Sequence, residues 1–318
     1  MSLGGKIAPL RGSARRGVKL GFAVRRTASA PAQAGLLPRR VWDVVRVNLM
    51  IIPTRAKLAR AILEPETLVR AFLKNFSLGS FEFRLAFDAF DRPWYAHGIY
   101  EAARLGKMLG EPAISVLEFG VAHGDGLVAM ERLAHEIRKK LNLQIEIFGF
   151  DSGEGLPTQR DYRDLPCVWQ RGLYKMDVET VRRRLPTAHL ILGDVGETVP
   201  RFIQAGGFPP IGFISFDLDY YTSTMAAFRI FQGPDSQYLP RVLSYFDDVM
   251  SGDQQYYCED VGELLAIREF NQTATRNHRI RPIHGWKRSL LMRTEWADAM
   301  WLYHRFDHAR YDEYIGGS

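Results

Sequence analysis

Ile114-Ser-Val-Leu-Glu-Phe-Gly-Val-Ala-His-Gly-Asp-Gly126 is the stretch that decides the fold class of this 318-residue chain. An apolar run, Ile114–Phe119, leads directly into a turn with glycines at 120, 124 and 126. Glycine permits a tight passage from strand to helix and a close approach of the backbone to a ligand. The spacing is GxxxGxG, which differs from the GxGxxG fingerprint of dinucleotide-binding folds. The stretch therefore predicts a buried strand that ends at a ligand-binding turn of another kind.

The same pattern recurs along the chain. Four more short apolar runs each end at a turn rich in Gly or Asp: Ile145–Phe150, His189–Leu192, Ile211–Phe216 and Val242–Phe246. Helix-like stretches lie between the first four of the five runs: Leu127–Leu141, Val178–Leu185 and Thr198–Gln204. Apolar strands that alternate with helices predict a parallel sheet covered on both faces. We expect an α/β fold, a doubly wound, mostly parallel, Rossmann-like αβα sandwich over residues 112–318. Its last strands are expected at Arg279–Ile283, Leu290–Arg293 and Met300–His304.

The N-terminal part of the chain has a different character. Residues 41–111 are expected to form a helical preface, because Trp42, Val45 and Leu49 recur at helical spacing and Pro93 suits the first turn of a later helix. Residues 1–40 form a basic tail whose composition predicts disorder, since it offers little apolar surface to bury. A leader without acidic residues and with several Arg and Ser is also typical of an organelle transit peptide.

The charge of the chain is concentrated in that tail. The formal net charge is +6, but residues 1–42 hold nine Lys and Arg and no acidic residue. The remainder therefore carries 33 basic (42 − 9) against 36 acidic residues. A slightly acidic body argues against nucleic acid as a partner. We expect a small-molecule partner instead.

Cysteine content and hydropathy indicate the compartment. The chain has two cysteines, Cys167 and Cys258, in no metal-binding spacing, which fits a reducing compartment. No apolar run approaches the roughly 20 residues needed to cross a bilayer. We expect a cytoplasmic protein that does not bind membranes. The aromatic C-terminal part, with Trp296 and Trp301, predicts either core or the subunit interface of a homo-oligomer.

Acidic residues follow the second and third strands. Asp151 comes after the second run and can accept both hydroxyls of a ribose, as in dinucleotide folds. Gly193-Asp194 follows the third run, where the carboxylate can accept a hydrogen bond from the amino group at the edge of a nucleobase. Ligands of open parallel sheets bind beyond the carboxyl ends of the strands. The glycine turn, Asp151 and Asp194 together predict a nucleoside pocket.

Four more carboxylates follow the fourth and fifth strands. Asp217 and Asp219 end the fourth run, and Asp247 and Asp248 end the fifth. Four carboxylates at two adjacent strand ends repel one another unless a counter-charge is present. Oxygen-only ligands suit Mg²⁺, Mn²⁺ or Ca²⁺. We therefore expect a site for a hard divalent cation.

These motifs, in this order, resemble the metal-dependent, macrocin-type O-methyltransferases, a family of class I S-adenosylmethionine (SAM) methyltransferases that methylate sugars of antibiotics. Phe150-Asp-Ser-Gly-Glu-Gly-Leu-Pro157 and Asp217-Leu-Asp-Tyr-Tyr-Thr-Ser-Thr224 carry the resemblance most specifically. It implies cofactor contacts at Glu118, Gly120, Asp151 and Asp194. We expect Gly124 and Gly126, from the same glycine turn, to bind the cofactor as well. It implies Mg²⁺ or a similar ion on Asp217, Asp247 and Asp248, and a general base at Asp219. The Tyr-Tyr-Thr after Asp219 departs from the family pattern, so the sugar acceptor does not follow.

The leading hypothesis is methyl transfer from SAM to a hydroxyl of a small molecule or sugar. A nucleotide-sugar-dependent glycosyltransferase is an alternative, because Asp217-Leu-Asp219 could hold a metal-bound diphosphate. A non-catalytic SAM-fold module is another. An NAD(P)-dependent oxidoreductase is disfavoured by the glycine spacing. A loop that contains Asp161–Pro166 and Trp169 is long enough to act as a substrate lid.

Overall fold

The computed structural model describes residues 65–250, 257–292 and 294–316, which belong to one unit, residues 59–318. The strands are β1 Ala113–Phe119, β2 Gln144–Asp151, β3 His189–Leu192, β4 Ile211–Phe216, β5 Tyr238–Phe246, β6 His278–Pro282 and β7 Met300–Arg305. The helices are α1 Pro65–Phe76, α2 Phe81–Ala86, α3 Pro93–Met108, α4 Asp125–Leu141, α5 Val178–Arg184, α6 Val195–Ala205, α7 Tyr221–Ala227, α8 Gly262–Thr273 and α9 Trp286–Ser289. The predicted tail and residues 41–64 of the predicted preface lie outside the described residues.

The strands form one seven-stranded sheet in the order β3-β2-β1-β4-β5-β7-β6. The first five strands pair in parallel, and β7 pairs antiparallel with both β5 and β6. The order 3-2-1-4-5 is that of a doubly wound fold, in which the chain direction of the crossovers reverses beside β1. The expected mostly parallel, Rossmann-like sheet is confirmed.

Helices cover both faces of the sheet, as the continuous apolar strands require. The core on one face is formed by residues of α3, α4 and α5 against the sheet, and that on the other by residues of α6, α7 and α8. Gly98 of α3 lies so close to the sheet that a Cβ there would collide with the ring of Phe213. Helix α3, which the prediction assigned to the preface, thus packs directly on the strands.

A row of phenylalanines aligns the carboxyl ends of four neighbouring strands. Phe119 pairs in register with Phe150 of β2 and with Phe216 of β4, and Phe216 pairs with Phe246 of β5. Successive ring centroids are 4.8, 5.3 and 4.7 Å apart. Because each strand ends within one residue of this row, the polar residues that follow the strands come to one edge of the sheet.

The C-terminal part departs from the prediction in one strand and two helices. Residues Leu290–Met292 of the predicted strand at 290–293 are not in a strand, and Arg293 lies outside the described residues. Met292 is buried, but Leu291 is 71% exposed, and β7 occupies the position beside β5 instead. Helices α8 and α9 were not predicted. Within the described ranges, no helix has the length and hydropathy to cross a membrane.

Candidate active site

A cavity of about 390 Å³ opens at the carboxyl ends of β1 to β5. Seven of the predicted site residues line it: Gly120, Asp151, Asp194, Asp217, Asp219, Asp247 and Asp248. The structure thus brings the predicted nucleoside-binding and acidic residues together in one place. Three other predicted cofactor residues, Glu118, Gly124 and Gly126, lie outside the cavity wall.

The glycines shape the turn between β1 and α4. Gly120 has φ 87°, and a Cβ there would collide with the main-chain oxygen of Asp217. This position therefore requires glycine for the close approach of the β1 and β4 ends. Gly124 is the N-cap of α4, and a Cβ on Gly126 would collide with the carboxylate of Glu118. Gly124 and Gly126 therefore act on the shape of the turn.

Glu118 is buried beneath this turn. Its Oε1 accepts a hydrogen bond from the hydroxyl of Tyr95 at 2.6 Å, while its Oε2 is buried without a hydrogen-bond partner among the described residues. Burial raises the pKa of Glu118 to about 7, although the Tyr95 hydrogen bond and the charge of Arg92 act in the opposite direction. The site thus holds a carboxylate whose negative charge is poorly compensated.

Asp151 holds the glycine turn in place. Its Oδ2 accepts hydrogen bonds from the main-chain N–H groups of Val121 and Ala122, both at 2.9 Å, and its Oδ1 accepts one from Gly153 at 2.6 Å. An ionised carboxylate has about four acceptor positions, so one is left for a ligand hydroxyl. Asp194 caps helix α6 by accepting from the N–H of Gly196 at 2.7 Å.

The four carboxylates after β4 and β5 differ in exposure and partners. Asp248 is buried and accepts from the main-chain N–H of Asp219 at 2.9 Å and from the hydroxyl of Tyr257 at 3.3 Å. Asp247 is exposed and accepts from the hydroxyl of Tyr245 at 2.7 Å. Asp219 is also buried, with φ 60°.

Burial and mutual repulsion make these carboxylates hard to ionise. Burial, with the charges of Asp247 and Asp248, raises the pKa of Asp217 well above its usual range. Burial and the same two charges raise the pKa of Asp219 to about 8. Burial and the charge of Asp247 raise the pKa of Asp248 to about 7. The cluster therefore favours a proton or a cation.

The fit of a divalent cation to this cluster is incomplete. Oxygen ligands suit a hard cation such as Mg²⁺. Within the ranges that the structure describes, however, no three His, Cys, Asp or Glu side chains are arranged to hold one metal ion. Asp247 and Asp248 instead bind the neighbouring hydroxyl and N–H groups described above. The proposed ligand set of Asp217, Asp247 and Asp248 therefore stays a prediction.

The predicted lid loop is anchored beside the cavity. A short 3₁₀ turn, Tyr162–Asp164, carries the fully buried Asp164. Its carboxylate accepts from the N–H of Thr222 at 2.9 Å, from the Thr222 hydroxyl at 3.1 Å and from the N–H of Arg160 at 3.0 Å. The loop then places Trp169 and Tyr174 in the cavity wall, with ring centroids 6.2 Å apart.

Three residues near the cavity were not predicted. Arg92, directly before α3, lies in the cavity wall. Tyr174 was not singled out. Glu263 is fully buried behind the wall, where its Oε2 accepts from the N–H of Asp248 at 3.0 Å. Arg92 and Glu263 do not directly follow a predicted strand of the parallel sheet, the one signal that identified the other site residues.

Comparison with protein-family models and with curated proteins finds no match. Solved structures do match. The calicheamicin methyltransferase CalS11 is 18% identical, with a TM-score of 0.45, and the alignment covers 88% of this chain and 100% of that one. The O-methyltransferase NovP is 15% identical, with a TM-score of 0.45, covering 66% of this chain and 78% of that one.

The O-methyltransferase TomG from Streptomyces achromogenes, solved in complex with SAM, is 13% identical, with a TM-score of 0.40. That alignment covers 85% of this chain and 99% of TomG. At this level of identity the likeness concerns the fold, which the strand order defines independently. CalS11, NovP and TomG are all described as methyltransferases.

Proposed function

We propose that this protein transfers a methyl group from SAM to a hydroxyl of a small molecule or sugar. The observation that carries the proposal is the composition of one cavity. Gly120, Asp151 and Asp194 line it from β1, β2 and β3, and Asp217 and Asp219 line it from β4. Groups suited to bind a nucleoside and acidic groups suited to accept a proton thus line the same cavity.

Different residues of the cavity are suited to bind the cofactor and to accept the proton. Asp194 is suited to accept a hydrogen bond from an adenine amino group, and Asp151 has an acceptor position for a ribose hydroxyl. SAM, when bound, supplies an electrophilic methyl group on sulfur. Asp219 is suited to take the proton of the acceptor hydroxyl as that oxygen bonds to the methyl carbon and the carbon–sulfur bond breaks. Its raised pKa makes it a stronger base than an ordinary aspartate.

The proposal also includes dependence of the reaction on Mg²⁺. The support is electrostatic: Asp217, Asp219 and Asp248 all have raised pKa values, and a bound cation would relieve the repulsion that contributes to them. Because Asp247 and Asp248 bind other groups in this structure, uptake of a cation requires a local rearrangement of those side chains. The acceptor itself is proposed only at the level of a small-molecule hydroxyl.

The proposal is tested by calorimetry with S-adenosylhomocysteine, the product of methyl transfer, with and without Mg²⁺. We expect binding by the wild type and its loss in Gly120→Ala, because the added Cβ collides with Asp217. Gly110→Ala is the matched control: Gly110 also has a positive φ, of 76°, but a Cβ there meets nothing within 4 Å. Both variants should be shown to fold by thermal unfolding.

Other outcomes distinguish the alternatives. A wild type that binds a uridine diphosphate sugar and not S-adenosylhomocysteine would establish the glycosyltransferase. Binding of S-adenosylhomocysteine without methylation of any acceptor in a broad hydroxyl screen would favour a non-catalytic module. Unchanged binding and turnover after removal of Mg²⁺ by a chelator would remove the metal from the proposal.

A further inference from the structure

Arg92 contributes a positive charge to a cavity wall that is otherwise rich in carboxylates. It precedes Pro93, the first residue of α3, and is half-buried. Among the described residues that line the cavity, it is the only Lys or Arg. Four aspartates line the same end of the cavity: Asp217, Asp219, Asp247 and Asp248.

The guanidinium of Arg92 is positioned by rings. It lies 5.4 Å from the ring centroid of Tyr95 and 5.9 Å from that of Trp94. A cation–π contact with the face of a ring does not occupy the N–H donors that lie in the plane of the guanidinium. No hydrogen bond or ion pair with another residue in the described part of the chain engages the guanidinium. No residue in the described ranges therefore competes with a ligand for its hydrogen-bond donors.

The electrostatic environment keeps Arg92 charged. Burial lowers the pKa of Arg92, but the acidic groups Tyr95, Glu118, Asp217 and Asp247 outweigh burial and raise it. Arg92 is therefore positively charged at neutral pH. Its charge in turn offsets part of the repulsion at the ends of β1, β4 and β5.

We infer that Arg92 binds the α-carboxylate of the methionine moiety of SAM. This inference rests on the proposed function. A ligand with its adenine at Asp194 and its ribose at Asp151 extends along the sheet edge from β3 through β2. Its amino-acid part then lies over the ends of β1 and β4, on the side of Arg92. The aspartates there would repel a carboxylate unless a cation offsets them.

The chemistry of the two groups matches. A planar guanidinium offers paired N–H donors that bind a carboxylate in a bidentate manner, whereas a lysine ammonium offers a point charge. The methionine ammonium group, in contrast, is suited to the acidic side of the site. Arg92 would therefore fix the orientation of the amino-acid part, and with it the direction of the sulfur-bound methyl group.

The inference is tested by comparing two ligands that differ in the amino-acid part. S-adenosylhomocysteine carries the carboxylate, and 5′-methylthioadenosine retains the nucleoside and the sulfur but lacks the amino-acid group. Calorimetry of the wild type, Arg92→Gln and Arg92→Lys measures the affinity for both. We expect Arg92→Gln to weaken S-adenosylhomocysteine binding roughly 10- to 100-fold, as for a lost charge-assisted contact, and to leave 5′-methylthioadenosine binding unchanged. Arg92→Lys should lie between.

Arg132→Gln is the matched control, because Arg132 borders a neighbouring groove together with Arg92 but does not line the cavity. It removes the same charge nearby and should affect neither ligand. Equal weakening of both ligands by Arg92→Gln would show a structural role and overturn the inference. Unchanged S-adenosylhomocysteine binding would also overturn it and would assign the cation to the acceptor or to the aspartates. A wild type that binds neither ligand would instead refute the proposed function.

Discussion

Asp219 combines a buried carboxylate with a left-handed backbone conformation. Its φ of 60° costs a non-glycine residue about 1–2 kcal/mol, although Asp and Asn tolerate this region better than most residues. The N–H of Asp219 donates to the carboxylate of Asp248, which compensates part of that cost. Asp248 is itself held by the hydroxyl of Tyr257 and, through its own N–H, by Glu263. The conformation of the proposed base thus depends on residues after β5.

Asp219→Asn tests whether this carboxylate is the general base. Asparagine keeps the size and tolerates the same φ, but it cannot accept the proton of a hydroxyl. We expect turnover to fall by about 10²- to 10⁴-fold, the usual contribution of a general base. Affinity for S-adenosylhomocysteine should be nearly unchanged. Single-turnover methyl transfer and calorimetry measure the two effects separately.

Asp161→Asn is the control for this substitution, since Asp161 is an acidic residue of the lid loop whose side-chain partner is Arg163 of the same turn. It should leave turnover intact. Normal turnover in Asp219→Asn would show that another group accepts the proton. If Asp219→Asn instead abolished Mg²⁺ binding while Asp217→Asn retained it, the roles of ligand and base would have to be exchanged.

Glu118 gives a prediction for stability as a function of pH. Its pKa rises from 4.5 to about 7, because the folded state buries the carboxylate. The folded protein therefore binds more protons than the unfolded chain between these values, and stability falls as the pH rises through this window. A shift of this size corresponds to about 3 kcal/mol. Glu118→Gln removes the titration.

Chemical denaturation of the wild type and Glu118→Gln at pH 4.5, 6 and 8 tests this expectation. The variant should gain stability relative to the wild type as the pH rises, with most of the gain complete above pH 7. Taking the difference between the two proteins cancels the contribution of other titrating groups, such as Asp219. A constant difference across the range would mean that Glu118 is not destabilised by burial.

At the scale of elements, the sequence predicted the residues that directly follow strands of the parallel sheet. Asp151, Asp217 and Asp247 come after apolar runs, and parallel strands end at one edge, so their proximity could be inferred. Arg92 could not be placed in this way. It precedes a helix, and its position at the cavity depends on the close packing of α3 onto β4, which Gly98 permits. This contact joins segments far apart in the chain.

The position of Glu263 near the cavity also could not be predicted from the sequence. Helix α8 begins at Gly262, immediately after a stretch without regular periodicity, and Glu263 in its first turn is fully buried. A glutamate is rarely buried without a charged partner, so sequence patterns place it at the surface. The strand expected at 290–293 failed for the opposite reason: Leu290, Leu291 and Met292 are apolar, but they lie outside the seven strands of the sheet.

The attachment of the lid loop to the rest of the protein can be tested at Asp164. Asp164 attaches the loop to the start of α7 through the N–H and hydroxyl of Thr222. Asp164→Ala removes both contacts and leaves the half-buried N–H of Thr222 unpaired. We expect the loop to detach and to become accessible to trypsin, which would cleave after Arg160, Arg163 or Arg171. Mass spectrometry of limited digests identifies the cleavage sites.

Asp161→Ala is the control for the loop, because Asp161 caps the same 3₁₀ turn but bonds only within it. It should increase cleavage less than Asp164→Ala. The same digestion after addition of S-adenosylhomocysteine reports on ligand contact, since Trp169 and Tyr174 line the cavity. Equal resistance of wild type and Asp164→Ala would show that the loop is held by its other contacts, such as the packing of Arg163 on Tyr221 at 4.5 Å.

At the scale of the whole molecule, a buried polar contact ties the helices before the sheet to the C-terminal region. Asp88 is 2% exposed and lies between α2 and α3. Its Oδ1 lies 3.1 Å from Nε2 of His97, and its Oδ2 accepts from Nε1 of Trp296 at 3.1 Å, across 208 positions of the sequence. The oxygen of Leu85 also lies 3.2 Å from Nε2 of His97. With two acceptors facing it, this nitrogen must carry the proton.

Asp88→Asn tests the hydrogen bonds that Asp88 accepts from His97 and Trp296. Asp88 has a positive φ, of 50°, which asparagine also tolerates, so Asp88→Asn tests the hydrogen bonds without added backbone strain. The amide can accept from only one of the two donors and turns its own N–H₂ group toward the other. We expect a loss of about 1–3 kcal/mol in the free energy of unfolding, the cost of one buried unsatisfied donor. Asp91→Asn is the control: it lies three residues away, and its ion pair with Lys74 is exposed, so it should change stability by less than about 1 kcal/mol. Urea unfolding followed by tryptophan fluorescence measures both variants, and the emission of Trp296 should shift in Asp88→Asn alone. Equal stability of the two variants would mean that packing around α3, and not this contact, holds the C-terminal region to the sheet.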